Sequence, residues 1–398
     1  MRRLTTPWLA STGALFGIAA ILGTAQSVAA AGPSTPAVLG PRSVAAGTTL
    51  TLRLSARERG VPASRLRFTC SFDSPQLHRC SARIGARLAV GRHLLRARAI
   101  DPRGRRSPIA RVGVVVRAAV AKAPEIRVGA EPVNVAFGAG ALWVSNNGDG
   151  TVSRIDPATG AVTATVAVGG MPAGISAGDG AIWVGNFGNS LLTRIDPTTN
   201  AVAASIDVGG QPLGPAVASD GAVWVSNFDG SMERIQAASN SVTSRTVLGG
   251  KPAFTTVAFG VVWSVNQDGA VYTVDPASGL LAGQPIRIGD DVDAVSVSSD
   301  AVWVTTYNDG VLARIDPATR SVVWRKRLGT RLAGVLAATD GSVWVSLYDR
   351  GIVERVDPAS GRVTRTVSVG DEPREIVEAA GSVWVVNQAS GTVSRITP

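Results

Sequence analysis

The chain has 398 residues, 45 % of them hydrophobic and 5 % aromatic, with a formal net charge of +10. That length suits two or three domains, or one large β domain with a smaller companion. The charge is unevenly placed: residues 36–122 hold 18 basic and 3 acidic side chains, and residues 123–398 hold 19 basic and 26 acidic ones. This division excludes a uniformly basic chain and sets a domain boundary near AAVAKAPE.

At the start of the chain, Arg2 and Arg3 precede the apolar run GALFGIAAILG and the small-residue stretch AQSVAAAG. That order is a secretory signal over 1–31, cleaved after Ala30 or Ala31. The run falls short of the roughly 20 apolar residues that a membrane span needs, and no cysteine near the cleavage site offers a lipid anchor. The expectation is a monomeric chain without a transmembrane span in its mature form, secreted or held in the periplasm or cell envelope.

From 48 to 117 the pattern has period two. Leu50, Leu52 and Leu54 alternate with Thr and Arg; Leu66, Phe68, Cys70 and Phe72 alternate with Arg67, Thr69 and Ser71. One face enters a core and the other carries arginines, which predicts a small β-sandwich over 36–120. In an exported chain Cys70 and Cys80 form one disulfide, the alternative being a metal site shared with His78 and His93. The stretch FTCSFDSPQLHRC followed by GRHLLRARAIDPRG resembles bacterial immunoglobulin-like modules, a resemblance that implies a sandwich and no particular ligand. The arginines are a solvated face, a surface for an anionic envelope polymer, or a face that docks on the acidic half of the chain. Export and the scarcity of interleaved aromatics argue against nucleic acid.

Beyond 123 the chain repeats. Trp143, Trp183, Trp224, Trp263, Trp303, Trp344 and Trp384 recur at intervals of 39 to 41 residues, the period of propeller blades. Each unit reads as four short strands; in the first they are PVNVAF, ALWVSN, TVSRID and AVTATVAV,. The prediction is an all-β protein with a seven-bladed β-propeller over 123–398. The last unit ends after its third strand, so APEIRV at 123–128 is expected to supply the fourth and close the ring. The recurrent DPATG is a turn, with Gly160, Asn200 and Asn240 at a position of positive φ where Arg320 breaks the pattern. Arg154, Arg194 and Arg314, with the tryptophans, are expected to cement neighbouring blades.

A site is sought where the repeat is broken. The loops entering the innermost strands mostly read VGGxP but become IGDDVDAV, LGTRLAGV and VGDEPREI. They bring Asp290, Asp291, Asp293, Arg331, Asp371, Glu372 and Arg374 to one sector of one mouth. The hairpin loops add Tyr307, Asn308, Asp309, Tyr348, Asp349 and Arg350. This surface is the candidate for an unknown protein, peptide or glycan. No cofactor is expected; the alternative is a Mg or Ca ion at Asp291 and Asp293.

The units PxxVA, GALWVSN and GTVSRIDPATG look like those of the YVTN/YncE-type and streptogramin (virginiamycin B) lyase-type propellers. The resemblance implies the propeller fold and, for the lyases, magnesium-dependent elimination with a histidine base. No histidine lies between 123 and 398, and Val133, Ala173, Leu213, Ala253 and Arg374 follow the entry-loop prolines. Without that base, the expectation is a non-catalytic binding scaffold. The alternatives are a cation-dependent enzyme using carboxylates, and envelope attachment through the basic module.

Overall fold

The computed structural model describes residues 32–45, 48–117 and 122–397; the signal segment 1–31 lies outside them. The chain divides into two compact units that part between 119 and 120. Among the described residues the only helical pieces are 3-10 turns at Ala63–Arg65 and Tyr348–Arg350, and no helix is long and apolar enough to cross a membrane.

In the first unit, strands Ala37–Leu39, Leu50–Ser55 and Arg83–Ala86 make a three-stranded sheet. Strands Ser43–Ala45, Ala110–Arg117, Gly91–Ile100, Arg67–Phe72 and His78–Cys80 make a five-stranded one. Leu50, Leu52 and Leu54 from one sheet and Phe68, Leu95, Ala97 and Val114 from the other share one core, while Arg53, Arg67 and Arg92 on the opposite faces are exposed. Cys70 and Cys80 form a disulfide between adjacent strands. Both nitrogens of His93 are engaged, Nδ1 with Asp73 Oδ2 at 2.6 Å and Nε2 with the Ala89 carbonyl at 2.7 Å. Glu58 and Asp101 both pair with Arg105, so these two of the unit's carboxylates are consumed internally.

In the second unit the described residues build seven four-stranded antiparallel sheets. Six follow chain order from inside to outside. The last consists of Pro373–Ala379, Ser382–Asn387 and Thr392–Ile396, followed by Glu125–Arg127 from the start of the unit. Thr392, Val393 and Ser394 pair with Arg127, Ile126 and Glu125, and Thr392 Oγ1 donates to Glu125 Oε2 at 2.9 Å. The innermost strands lie side by side in order, and Pro373–Ala379 lies beside Pro132–Gly138 to complete the cycle. The unit is a β-propeller.

The second strand of each sheet carries the tryptophan and is covered on both faces, which is why it reads as a continuous apolar run. Trp143 packs on Ile182 and Val184, Trp183 on Val223 and Val225, and the series runs round to Trp384, which packs on Leu142 and Val144. Each tryptophan thus buries its ring against the residues flanking the next one. Truncating such a side chain to alanine typically costs about 3–5 kcal/mol. Arginines cap the rings: the Cζ of Arg154 and of Arg194 lie 5.2 and 5.3 Å from the Trp143 and Trp183 centroids.

Only some of these arginines bridge sheets. Arg154 Nη1 reaches the Pro197 carbonyl at 3.1 Å and Asn200 Oδ1 at 2.9 Å in the next sheet, and Arg194 repeats this with Ala237 and Asn240. Arg314 instead pairs with Asp300 of its own sheet at 2.7 Å. The Asp-Pro turns form as read: Asp316 Oδ1 accepts from the N–H groups of Ala318 and Thr319 at 2.8 and 3.0 Å.

Arg320 occupies the left-handed position of that turn with φ 54°, as Asn200 does with φ 57° and Gly160 with φ 75°. The turn imposes the conformation whatever the side chain, and an arginine there carries strain on the order of 1 kcal/mol. Arg320→Asn should raise the melting temperature by about 2 °C in a calorimetric scan. A lower melting temperature would show that the arginine's contacts outweigh the strain.

Candidate functional site

The loop entering each innermost strand and the turn after each second strand meet at one end of the propeller, held by one repeated backbone hydrogen bond. The N–H groups of Asn147, Phe187, Phe228, Gln267, Tyr307, Tyr348 and Gln388 donate to the carbonyls of Glu131, Met171, Gln211, Lys251, Asp291, Arg331 and Glu372 at 2.7 to 3.0 Å. These bonds fix the loops through the main chain alone and leave the side chains free to differ.

Inside that ring, each sheet presents the residue after its proline, or after Val292 and Leu332 where the proline is replaced. These are Val133, Ala173, Leu213, Ala253, Asp293, Ala333 and Arg374, and they line a cavity of about 230 Å³ together with Asn147, Phe254, Gln267, Glu375 and Gln388. Small residues let the innermost strands converge here. A Cβ on Gly334 would meet the Arg374 carbonyl at 2.3 Å, and one on Gly174 would meet the Leu213 carbonyl at 2.1 Å. The cavity is therefore apolar on one side, through Ala173, Leu213, Ala253 and Phe254, and charged on the other.

The charged side has uncommon electrostatics. Asp293 is only 8 % exposed, and burial pushes its carboxyl up to about 7 against the pull of Arg374. Burial pushes Glu375 up to about 8, although the Ile376 N–H donates to its carboxylate. Burial also raises Asp291, helped by the neighbouring charge of Asp290, and Asp291 Oδ1 has no hydrogen-bond partner. Arg374 donates from Nε to Gln388 Oε1 and lies with its Cζ 5.1 Å from the Tyr348 ring centroid. Arg331 covers Tyr307 at 5.5 Å, and the two tyrosines meet edge to face at 5.4 Å. Across the mouth, Phe187 and Phe228 repeat that contact at 5.6 Å, with Lys251 over Phe228 at 4.9 Å.

Of the residues singled out from sequence, Asp293 and Arg374 line the cavity, and Tyr307, Tyr348 and Arg331 form the stacked group at its rim. Asp291 and Glu372 are half-buried beside them, while Asp290, Asp349, Arg350 and Asp371 are exposed. Asp309 and Asp349 have local tasks, accepting hydrogen bonds from Thr306 and Thr330 that tie turn to loop. Glu375, Gln388, Asn147, Gln267, Lys251 and the phenylalanine pair were not anticipated. Among the described residues no group of three or more His, Cys, Asp or Glu is placed to hold a metal ion.

A larger groove of about 710 Å³ opens between adjacent sheets near Trp303, Asp300, Thr339 and Pro358. It lies at the turns between first and second strands, at the end away from the mouth, and its Arg314 is already paired with Asp300. The smaller mouth cavity is the one that leaves charged groups unpaired.

A family model described as outer membrane protein assembly factor BamB matches residues 148–367 and 308–397. The chain belongs to the BamB family. The BamB match falls within the propeller and leaves the basic unit outside it. Among solved structures, the chain is similar to Kuenenia stuttgartiensis hydrazine synthase at 16 % identity and a TM-score of 0.63, covering 69 % of this chain and 97 % of that one. At that identity the likeness concerns the fold alone. No curated protein matches the sequence.

The raised carboxyls have a consequence for stability. A folded pKa above the ordinary carboxylate value means that the contribution of the neutral form is complete at low pH and is lost as pH rises through about 7 for Asp293 and about 8 for Glu375,. The double variant Asp293→Asn, Glu375→Gln should therefore melt above the wild type at pH 9, with the gap closing towards pH 4. A gap independent of pH would show that the two carboxyls are not buried in the neutral form.

Proposed function

We propose that this protein is an exported, non-catalytic binding module of the cell envelope or extracellular space. In this reading an immunoglobulin-like sandwich precedes a seven-bladed propeller of YncE-like type, which takes its ligand at the mouth of its channel. The observation that carries the proposal is the asymmetry of an otherwise repeated mouth: Asp293, Arg374 and Glu375 stand where most other sheets place small or apolar residues. Concave, partly apolar cavities with a few convergent polar groups are the usual form of a binding site. The BamB family's name, an outer membrane assembly factor, supports an envelope setting and a role in interaction.

The full chain, immobilised and exposed to envelope extract, should capture a defined partner that resists high salt. Arg331→Glu combined with Arg374→Glu should abolish that capture and leave the melting temperature within about 2 °C. Capture that survives the double variant and disappears above about 0.1 M salt would instead assign binding to the basic unit, whose exposed arginines are screened over about 10 Å at that ionic strength.

A second reading has one specific support. Elimination needs a base that titrates near neutrality, and Asp293, raised to about 7, meets that requirement where the lyase-type propellers use histidine. Turnover of a cyclic depsipeptide by the wild type, lost in Asp293→Asn, would favour this enzyme reading over the binding module.

A further inference from the structure

The mouth cavity contains charged groups whose hydrogen-bonding capacity the protein does not use. Asp293 is more than nine-tenths buried, yet its carboxyl lines the cavity with no hydrogen bond or ion pair to the protein among the described residues. Buried polar groups are ordinarily satisfied, so an unsatisfied one facing a cavity calls for a ligand donor. Glu375 accepts only from the N–H of the next residue, Ile376, at 3.2 Å. Arg374 is held through Nε by Gln388 and through its face by Tyr348. Among the described residues its terminal nitrogens make no hydrogen bond, and no carboxylate lies within ion-pair distance of them. A guanidinium fixed in this way presents a planar fork that suits a carboxylate.

We infer that the cavity binds a free α-amino acid, with its carboxylate on Arg374, its ammonium group between Asp293 and Glu375, and a short apolar side chain against Ala173, Leu213, Ala253 and Phe254. The inference deepens the binding-module reading and rests on it. An amine alone would leave Arg374 unpaired, and a carboxylate alone would leave Asp293 unpaired; a ligand with both charges satisfies each group. The size agrees. A cavity of about 230 Å³ falls below the roughly 300–1,000 Å³ of drug-sized sites and suits one small ligand. The amide groups of Asn147, Gln267 and Gln388 complete the wall with donors and acceptors,.

Binding of the ammonium group needs an ionised Asp293, so affinity should rise with pH. The groups that face Asp293 and Glu375 are Arg374 and Asp291, with Lys251, Asp290, Tyr307, Arg331, Tyr348 and Glu372 around them. Ionisation of a carboxyl at about 7 gives about a tenfold gain in affinity between pH 6 and pH 8, while the ligand's ammonium stays protonated.

The test is isothermal titration of the full chain with L-alanine, L-valine and L-leucine, and with the blocked forms N-acetyl-L-leucine and L-leucinamide, at pH 6 and pH 8. At least one free amino acid should bind, ten times or more tightly than both blocked forms, and more tightly at pH 8. Asp293→Asn and Arg374→Gln should each remove binding without lowering the melting temperature. No heat from any free amino acid, or equal binding of either blocked form, overturns the inference; the wild-type series decides this even if a variant folds poorly. Should the amino acids fail while the mouth still captures an envelope partner, the inference falls and the binding-module reading stands. Failure of both measurements removes both.

Discussion

Closure of the ring is the constraint on which the rest of this propeller depends. An open array of seven four-stranded sheets would end in an unpaired strand edge, and such edges recruit other chains. The pairing of Thr392–Ile396 with Glu125–Arg127 removes the edge by borrowing a strand from the opposite end of the unit. Arg395 N–H donates to the Pro124 carbonyl at 3.0 Å and Val128 N–H to the Gly391 carbonyl at 3.1 Å, so the joint continues beyond the paired residues. Once the ring is shut, Trp384 must meet Leu142 and Val144 as every other tryptophan meets the sheet ahead of it. The geometry of each interface is then set by all the others, and seven equivalent positions converge on one mouth.

That convergence explains how a rigid scaffold accommodates a variable site. The loops at the mouth are joined by main-chain hydrogen bonds from Asn147 through Gln388, which are indifferent to side-chain identity. The close approach of the innermost strands is secured by glycines at 174, 214 and 334. With the backbone fixed in this way, replacing an alanine by Asp293 or Arg374 changes the chemistry of the cavity without altering its frame. Sites built on rigid elements hold their groups more exactly than sites built on long loops, and here the loops are short and the groups sit at strand entries.

Much of this was legible in the sequence, for physical reasons that can be named. A tryptophan in each sheet, buried on both faces, cannot vary freely, so its spacing revealed the period. Turn residues revealed the strand ends, and the missing fourth strand revealed the closure. The site was legible only in part, because charge in loops was the signal sought. That signal found Asp293 and Arg374 but also drew in Asp309 and Asp349, whose carboxylates are spent on Thr306 and Thr330. It passed over Glu375, the next residue after Arg374 in the strand, and over Gln388, Asn147 and Gln267, which are uncharged. Register was the better guide: the cavity residues stand ten or eleven places before each tryptophan and the rim residues four places after it. Counting from the tryptophans would have assembled both rings. The arginine network was misjudged for a similar reason. Arg154 and Arg314 share a motif, but Arg314 has Asp300 within reach at 2.7 Å and takes that partner in preference to the next sheet.

Asp293 distinguishes a fold from a function. Folding gains nothing visible from this residue: among the described residues it forms no hydrogen bond, and burying its charge is costly enough to move its titration to about 7,. The equivalent positions in five of the other six sheets hold alanine, valine or leucine, which satisfy the same backbone without that cost. Glu375, with one hydrogen bond from its neighbour Ile376, is also raised, to about 8, at a position where three other sheets have glycine. Two poorly supported carboxyls beside one immobilised arginine are a local conflict in a chain whose turns, strand patterns and packing otherwise agree. Such conflicts collect at sites where a protein does something besides fold. In this propeller the conflict lies on the axis, in the one cavity that all seven sheets share.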